Sequence, residues 1–239
     1  MLNIVIPISN YSHSTPSDYY PKNLLEIKGK PLIESVYEPI SNLEAKFIFV
    51  VSKQESNKYH TDSILKVINP NFEIILTEGQ TQGALATCLL AIKLIDNSDE
   101  LLILNGDQII EFEIQKILEN FRKKNLDGGI VSFKSVHPKW SYIKVKNELV
   151  TYVQEKKVIS NNATAGVYYF KKGSDFIKSA KGIILKRDFV NEKYYVSHSY
   201  NELILEGKKI GTFEINKNQL IKLTTPFEIE SYLKGGLNG

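Results

Sequence analysis

The stretch Leu101-Leu102-Ile103-Leu104-Asn105-Gly106-Asp107 decides how this chain is read. Four apolar residues in succession suit a strand covered on both faces, as in the middle of a parallel sheet. The run stops at Asn-Gly-Asp, residue types suited to a tight turn, and leaves a carboxylate at the carboxyl end of the strand. Open α/β sheets bind ligands at that edge, and a carboxylate there can hold Mg2+ against substrate phosphates. Taken alone, Asp107 is equally suited to capping the helix that follows.

Upstream of this stretch, residues 2–8 form an apolar, β-branched run that predicts a first strand. Residues 9–20 turn to Ser, Asn, Tyr, His, Thr, Pro and Asp, a loop composition, and end at Pro21-Lys22. After the turn Lys28-Gly29-Lys30, Pro31 opens a helix to about residue 42 with Leu32, Ile33, Val36 and Ile40 on one face. Residues 46–51 and 72–76 predict two more strands around a helix over 55–67. A polar turn over 77–82 leads into a small-residue helix from Gly83. Downstream, a helix over 111–123 precedes a strand over 129–133. This alternation predicts an α/β fold with a doubly wound, mainly parallel, Rossmann-like sheet.

The second half changes rhythm. Residues 140–145 and 149–153 read as paired strands across Lys146-Asn147-Glu148, a small β insert. A strand over 165–170 and helices over 172–181 and 198–205 follow. A strand over 209–215, a closing helix over 227–233 and a frayed glycine-rich tail complete the chain. With no repeat, low-complexity tract or linker, the expectation is a single domain over 1–239.

The chain has 239 residues, 42% of them hydrophobic, enough for a sizeable core. Its net charge of +3 comes from scattered lysines rather than runs, so no nucleic-acid partner is implied, while phosphorylated small molecules suit it. Cys88 is the only cysteine, which rules out an intrachain disulfide and fits a reducing compartment. Met1 leads directly into the first strand with no basic leader and no long apolar segment, so a cytoplasmic protein without a membrane span is expected.

With Pro21-Lys22, Lys28-Gly29-Lys30-Pro31-Leu32-Ile33 and Asn105-Gly106-Asp107 in this order, the chain resembles the sugar-phosphate nucleotidyltransferases. It is most similar to the branch found in capsular-polysaccharide gene clusters. The resemblance runs on through Gly79-Gln80-Thr81-Gln82-Gly83-Ala84, Gln154-Glu155-Lys156, Asn161-Asn162-Ala163-Thr164-Ala165-Gly166 and Thr225-Pro226, and covers nearly the whole chain. It implies a GT-A-type sheet with a nucleotide-binding half over about 1–133 and an acceptor-binding half over about 134–234. It also implies a reaction in which an acceptor's phosphate attacks the α-phosphorus of a nucleoside triphosphate and releases pyrophosphate. Lys22 would contact the phosphates and Asp107 would bind Mg2+ as cofactor. Ile8, Ser9, Asn10, Gln80, Gln82, Gly83 and Gly106 would meet the nucleotide. Glu155 and Lys156 would meet the acceptor and its phosphate, and Thr164 and Gly166 would line the acceptor pocket. The implied partners are a nucleoside triphosphate, with CTP favoured by analogy to cytidylyltransferases of that branch, and a small phosphate monoester. The latter is a phosphosugar, a phosphorylated polyol or a phosphorylated amino acid. A homodimer is compatible with this reading. Phosphoryl-type transfer depends on positioning and charge neutralisation, which agrees with the lack of a Ser/His/Asp or Cys/His set.

Two departures from the family pattern bear on activity. The first loop, Ser9-Asn10-Tyr11-Ser12-His13-Ser14-Thr15, carries neither the glycines nor the arginine usual there. Before Thr225-Pro226, where many relatives place a second metal-binding aspartate, the chain reads Ile221-Lys222-Leu223-Thr224. Either Asp107 holds Mg2+ with substrate phosphates and water, or Glu202 or Glu214 serves as a second carboxylate, or Lys222 supplies charge in place of a metal, or the chain has lost activity. Two other classes stay open on the sequence: a GT-A glycosyltransferase, which normally shows an Asp-x-Asp after this strand, and a nucleotide-binding paralogue without turnover.

Overall fold

The strand at Glu100–Leu104 lies inside a nine-stranded mixed sheet, in a computed structural model that describes residues 1–8 and 21–233. In chain order the strands are β1 (Leu2–Pro7), β2 (Glu26–Ile27), β3 (Lys30–Pro31), β4 (Ala45–Ser52), β5 (Glu73–Thr77) and β6 (Glu100–Leu104). They continue with β7 (Gln108–Ile110), β8 (Gly128–Lys134), β9 (Ser141–Lys146), β10 (Leu149–Glu155), β11 (Asn162–Phe170), β12 (Ile210–Glu214) and β13 (Leu220–Lys222). The main sheet has the order β5-β4-β1-β6-β11-β8-β12-β10-β9.

The first four positions, β5-β4-β1-β6, pair in parallel, as the alternating pattern predicts. The expectation of a mainly parallel sheet stops there, because β11 runs antiparallel to both β6 and β8. Parallel neighbours need a long crossover, whereas the chain reaches β11 from β8 through the β9–β10 hairpin with no helix between. That hairpin is no separate insert: β10 pairs with β12 and β9 with β11, so it extends the main sheet.

The helices are α1 (Leu32–Tyr37), α2 (Lys53–Tyr59), α3 (Thr61–Ile68), α4 (Ala84–Leu89), α5 (Ile92–Ile95), α6 (Ile114–Lys123), α7 (Gly173–Leu185), α8 (Val196–Leu205) and α9 (Pro226–Leu233). The helix expected over 55–67 is two helices, broken at His60, whose left-handed φ of 56° ends α2. The sheet buries both faces. Leu102 and Leu104 pack with Ile4, Ile6, Phe49 and α6, while Leu101 and Ile103 pack with Val5, Ile48, Val50 and residues of α4 and α7. That two-sided burial explains the uninterrupted apolar run in β6.

Two smaller features position the site. The sequence between Asp107 and residue 111 is a short strand, β7, antiparallel to β13, a pairing that sequence alone did not reveal. It sets Lys222 opposite Gln108, and the Leu223 N–H donates to the Asp107 carbonyl at 2.9 Å. At the other side, α8 supplies side chains to the part of β10 beyond its pairing with β12. Asn201 brackets Val153 with two bonds of 2.9 Å, accepting its N–H and donating to its carbonyl. His198 Nε2 accepts the Glu155 N–H at 3.0 Å. No helix among the described residues is long and apolar enough to cross a membrane.

Candidate active site

Lys22 begins a 3-10 turn over Lys22–Leu24, directly after the extended Pro21. Its side chain is only 12% exposed, and Nζ lies 3.3 Å from Asp107 Oδ2. The next residue, Asn23, is buried and donates through Nδ2 to the Ile8 carbonyl at 3.0 Å and to Glu55 Oε1 at 3.2 Å. One amide thereby ties the end of β1 to the turn that carries Lys22. Burial pushes the Glu55 carboxyl up, against hydrogen bonds from Asn23 and Thr61 that pull it down. Ser9, Asn10 and His13, expected near the triphosphate, lie outside the described residues.

Asp107 follows the turn at the carboxyl end of β6. The turn is held by β11, whose register shifts between Thr164 and Tyr168, with Gly166 at φ 68°. There the Gly166 carbonyl accepts the Asn105 N–H at 3.0 Å, and a Cβ on Gly166 would run into the Asn105 amide. Only glycine fits that close approach. Asp107 Oδ2 accepts from Lys22 and also from the Thr224 hydroxyl at 2.8 Å. Burial would raise the Asp107 carboxyl, but the charges of Lys22 and Lys222 and the Thr224 bond outweigh it and hold it below the usual carboxylate range.

Between these groups and β9–β11 opens a polar cavity of about 500 Å3. Small-molecule sites commonly fall in this size class. Ile8, Lys22, Gly106 and Asp107 line it from the β1–β6 side, with Gln80 and Ala84 beside them. Glu155, Thr164 and Gly166 line it from the other. Glu155 is 6% exposed and accepts from the Ser141 hydroxyl and, at 3.4 Å, from that of Ser197. Burial pushes its carboxyl up, opposed by the Ser141 bond and by the charges of Lys156 and Lys222. Thr164 and Tyr168 share a hydroxyl contact at 3.2 Å.

Three expected residues do not line this space. Gln82 is exposed, and its carbonyl accepts the Tyr194 N–H at 2.8 Å. Gly83, at φ 98°, lies so close to the Tyr194 backbone that a Cβ would come within 2.5 Å of its carbonyl oxygen. Together they hold the segment from which Lys193 and Tyr195 reach the cavity. Lys156 is exposed at the rim, its Nζ 5.5 Å from the Tyr195 ring centroid. Conversely, the cavity includes Lys139, Trp140, Ser141, Thr224 and Tyr195, none of which sequence reasoning assigned a binding role. The matched Thr225-Pro226 was the one signal that could have pointed to Thr224.

Among the described residues no three His, Cys, Asp or Glu side chains gather as a metal cage. Glu202 is paired with Lys186 at 2.7 Å and Glu214 with Lys134 at 2.9 Å, and neither lines the cavity. Asp107 nevertheless fits a single Mg2+ ligand. Its two hydrogen bonds fall on Oδ2, its side chain is 29% exposed, and Mg2+ is commonly bound by one or two carboxylates, substrate phosphates and water.

The sequence pattern of the family described as Nucleotidyl transferase matches residues 17–213. The bifunctional protein GlmU of Pseudothermotoga lettingae is 29% identical over 63% of this chain, which spans 34% of that relative's length. Among solved structures, a nucleoside-diphosphate-sugar pyrophosphorylase from Vibrio cholerae superimposes with a TM-score of 0.85 at 23% identity, covering 97% of this chain and 99% of the other. The inositol-1-phosphate CTP transferase of T. maritima does so at 0.71 and 16%, covering 99% and 98%. The match over residues 17–213 extends from before Lys22 to the strand β12, and by it the chain belongs to the nucleotidyl transferase family.

Proposed function

We propose that this protein transfers a nucleoside monophosphate from a nucleoside triphosphate, with CTP the first candidate, to a small phosphate monoester, releasing pyrophosphate. The observation that carries this reading is the opposition of Lys22 and Asp107 at 3.3 Å across the carboxyl edges of β1 and β6, facing a polar cavity walled on its far side by Glu155 and Thr164. Residues 1–133 would serve the nucleotide and 134–234 the acceptor, within one domain. An acceptor phosphate oxygen forms the new bond to the α-phosphorus, and the bond to the β-phosphate's bridging oxygen breaks. No protein nucleophile is needed. The chain's task is to align the two phosphates and offset their charge. Lys22, with most of its side chain out of solvent and anchored through Asn23, is preorganised for charge that builds on the triphosphate. Asp107 would hold Mg2+, which would neutralise charge on the phosphates. Ser141 and Thr164 give the acceptor end a hydroxyl-bearing wall beside the buried Glu155 carboxylate, which Ser197 supports from behind, suited to a hydroxylated or otherwise donor-rich acceptor. A product of this kind would feed capsular polysaccharide synthesis in the cytoplasm.

Thermal unfolding with CTP, UTP, dTTP, GTP and ATP, each with and without Mg2+, tests the reading. Ligand at about a hundred times its dissociation constant adds roughly 2.7 kcal/mol, a visible rise in Tm. A Mg2+-dependent shift with one triphosphate selects the base, and pyrophosphate release against phosphate monoesters then identifies the acceptor. No shift with any triphosphate would refute the proposal.

A further inference from the structure

We infer that Lys222 is the receptor for the acceptor's phosphate, a dianionic phosphate monoester, at the point where the two halves of the cavity meet. The inference rests on the nucleotidyltransferase reading and gives Lys222 the acceptor's phosphate, where the sequence suggested only a charge in place of a metal.

Lys222 ends β13, and its place is fixed from both directions. On the nucleotide side, β13 pairs with β7 so that Lys222 faces Gln108, and the next two residues bind Asp107 through the Leu223 N–H and the Thr224 hydroxyl. On the acceptor side, Lys222 Nζ lies 4.6 Å from the centroid of the Trp140 ring. Trp140 is 8% exposed, its carbonyl accepts the Lys156 N–H at 3.0 Å, and the neighbouring Ser141 donates to Glu155. The ammonium therefore stands on a buried aromatic platform where its charge acts on both carboxylates of the cavity, helping to hold Asp107 down and opposing the burial that raises Glu155.

The other cavity lysines differ in kind. Lys22 is spoken for by Asp107, and Lys139 is paired with Glu228 at 3.0 Å. Lys193 is exposed. Lys222 is only partly exposed, and its ammonium, over the Trp140 ring, has no ion pair or hydrogen bond among the described residues. A partly desolvated ammonium with unused donors, facing a polar cavity, is arranged for an anion. The triphosphate has Lys22 on its own side of the site, and the phosphate still lacking a buried cationic partner is the acceptor's. Lys156, which the resemblance places on that phosphate, is at the rim instead.

Trp140 is the only tryptophan in the chain, so its fluorescence reports on the two ammoniums over its ring, Lys222 at 4.6 Å and Lys139 at 4.9 Å, and the Lys222 variants separate the two. The experiment is a titration of the full chain with inorganic phosphate as probe, with and without the triphosphate and Mg2+ that raise Tm. It compares the parent with Lys222→Met, Lys222→Gln and Lys222→Arg. The expected result is a saturable change in the parent, with half-saturation about tenfold or more higher in the Met and Gln variants, the scale for losing one charge-assisted bond. The Arg variant should stay within about threefold of the parent, and triphosphate affinity, read separately by calorimetry, should change less than about threefold in all three. No saturable change in the parent, or half-saturation unaltered by both neutral variants, overturns the inference. So does a parallel loss of triphosphate affinity, which would move Lys222 to the nucleotide. A parent that binds phosphate through Lys222 but binds no triphosphate would refute the proposed function and leave the phosphate receptor standing.

Discussion

Replacing Lys22 with Met keeps the aliphatic stem and removes the ammonium 3.3 Å from Asp107 Oδ2. At that distance two unit charges attract by about 5 kcal/mol at an effective dielectric near 20, before desolvation is subtracted. Breaking a fully buried pair by deleting one partner costs about 3–5 kcal/mol. Asp107 here is 29% exposed and keeps both the Thr224 bond and the Lys222 charge. The expected loss in folding stability is therefore smaller, about 1–2 kcal/mol. Its pH dependence follows from the depressed carboxyl of Asp107. A folded pKa below the unfolded value stabilises above about 3.9, the ordinary Asp value, and that stabilisation is lost as pH falls through the folded value. The gap in Tm between parent and Lys22→Met should thus be full at neutral pH and close on acidification below about 3.9. Catalysis should suffer more than stability. Loss of one preorganised charge costs about 3 kcal/mol in the transition state, or about 150-fold in kcat/KM. Pyrophosphate release and unfolding followed across pH read the two effects separately. A rate within about twofold of the parent, or a stability gap that widens in acid, would refute the role assigned to the pair.

Other outcomes follow from the same geometry. Asp107→Asn should nearly abolish pyrophosphate release while the near-ultraviolet circular dichroism stays that of the parent; near-normal turnover would remove Asp107 from the metal site. Glu155→Gln should raise Tm at neutral pH, because a carboxyl whose folded pKa is raised is penalised as pH climbs above the ordinary Glu value of about 4.3. The gain should fade toward pH 4, while the KM for the acceptor rises; a gain that is equal at both pH values would contradict a buried carboxylate whose partners only partly offset its desolvation. Gly83→Ala should lower stability by about 1–3 kcal/mol, since φ 98° and the Tyr194 backbone both exclude a Cβ. A Tm within a degree or so of the parent's would show that the 193–195 segment yields readily.

Much of the parallel half was legible because burial on two faces writes itself as unbroken apolar runs, and Leu101, Leu102 and Ile103 are indeed fully enclosed. Lys22 and Asp107 were legible as a pair only through their order among neighbouring motifs; nothing in 85 residues of separation says that they touch. The antiparallel turn of the sheet at β11 was hidden because a strand's sequence encodes its burial and not its direction. The β7–β13 pairing was hidden for a related reason. It joins two three-residue strands more than a hundred positions apart, too short for any period to show, yet it delivers Lys222 and Thr224 to the site. His198 and Asn201 read as ordinary members of a helix. Their three-residue spacing gains meaning only when Val153 and Glu155, two residues apart on a strand, are set against them.

That contact between α8 and β10 also bears on how the protein behaves in company. β10 meets β12 at Leu149 alone, and beyond it the strand would present open donors and acceptors, a template on which another chain could extend the sheet. Asn201 and His198 fill those positions as a stand-in strand that cannot itself be paired further. The helix thus covers the open strand edge at the same spot where it steadies the cavity wall that carries Glu155, so one pair of side chains serves both.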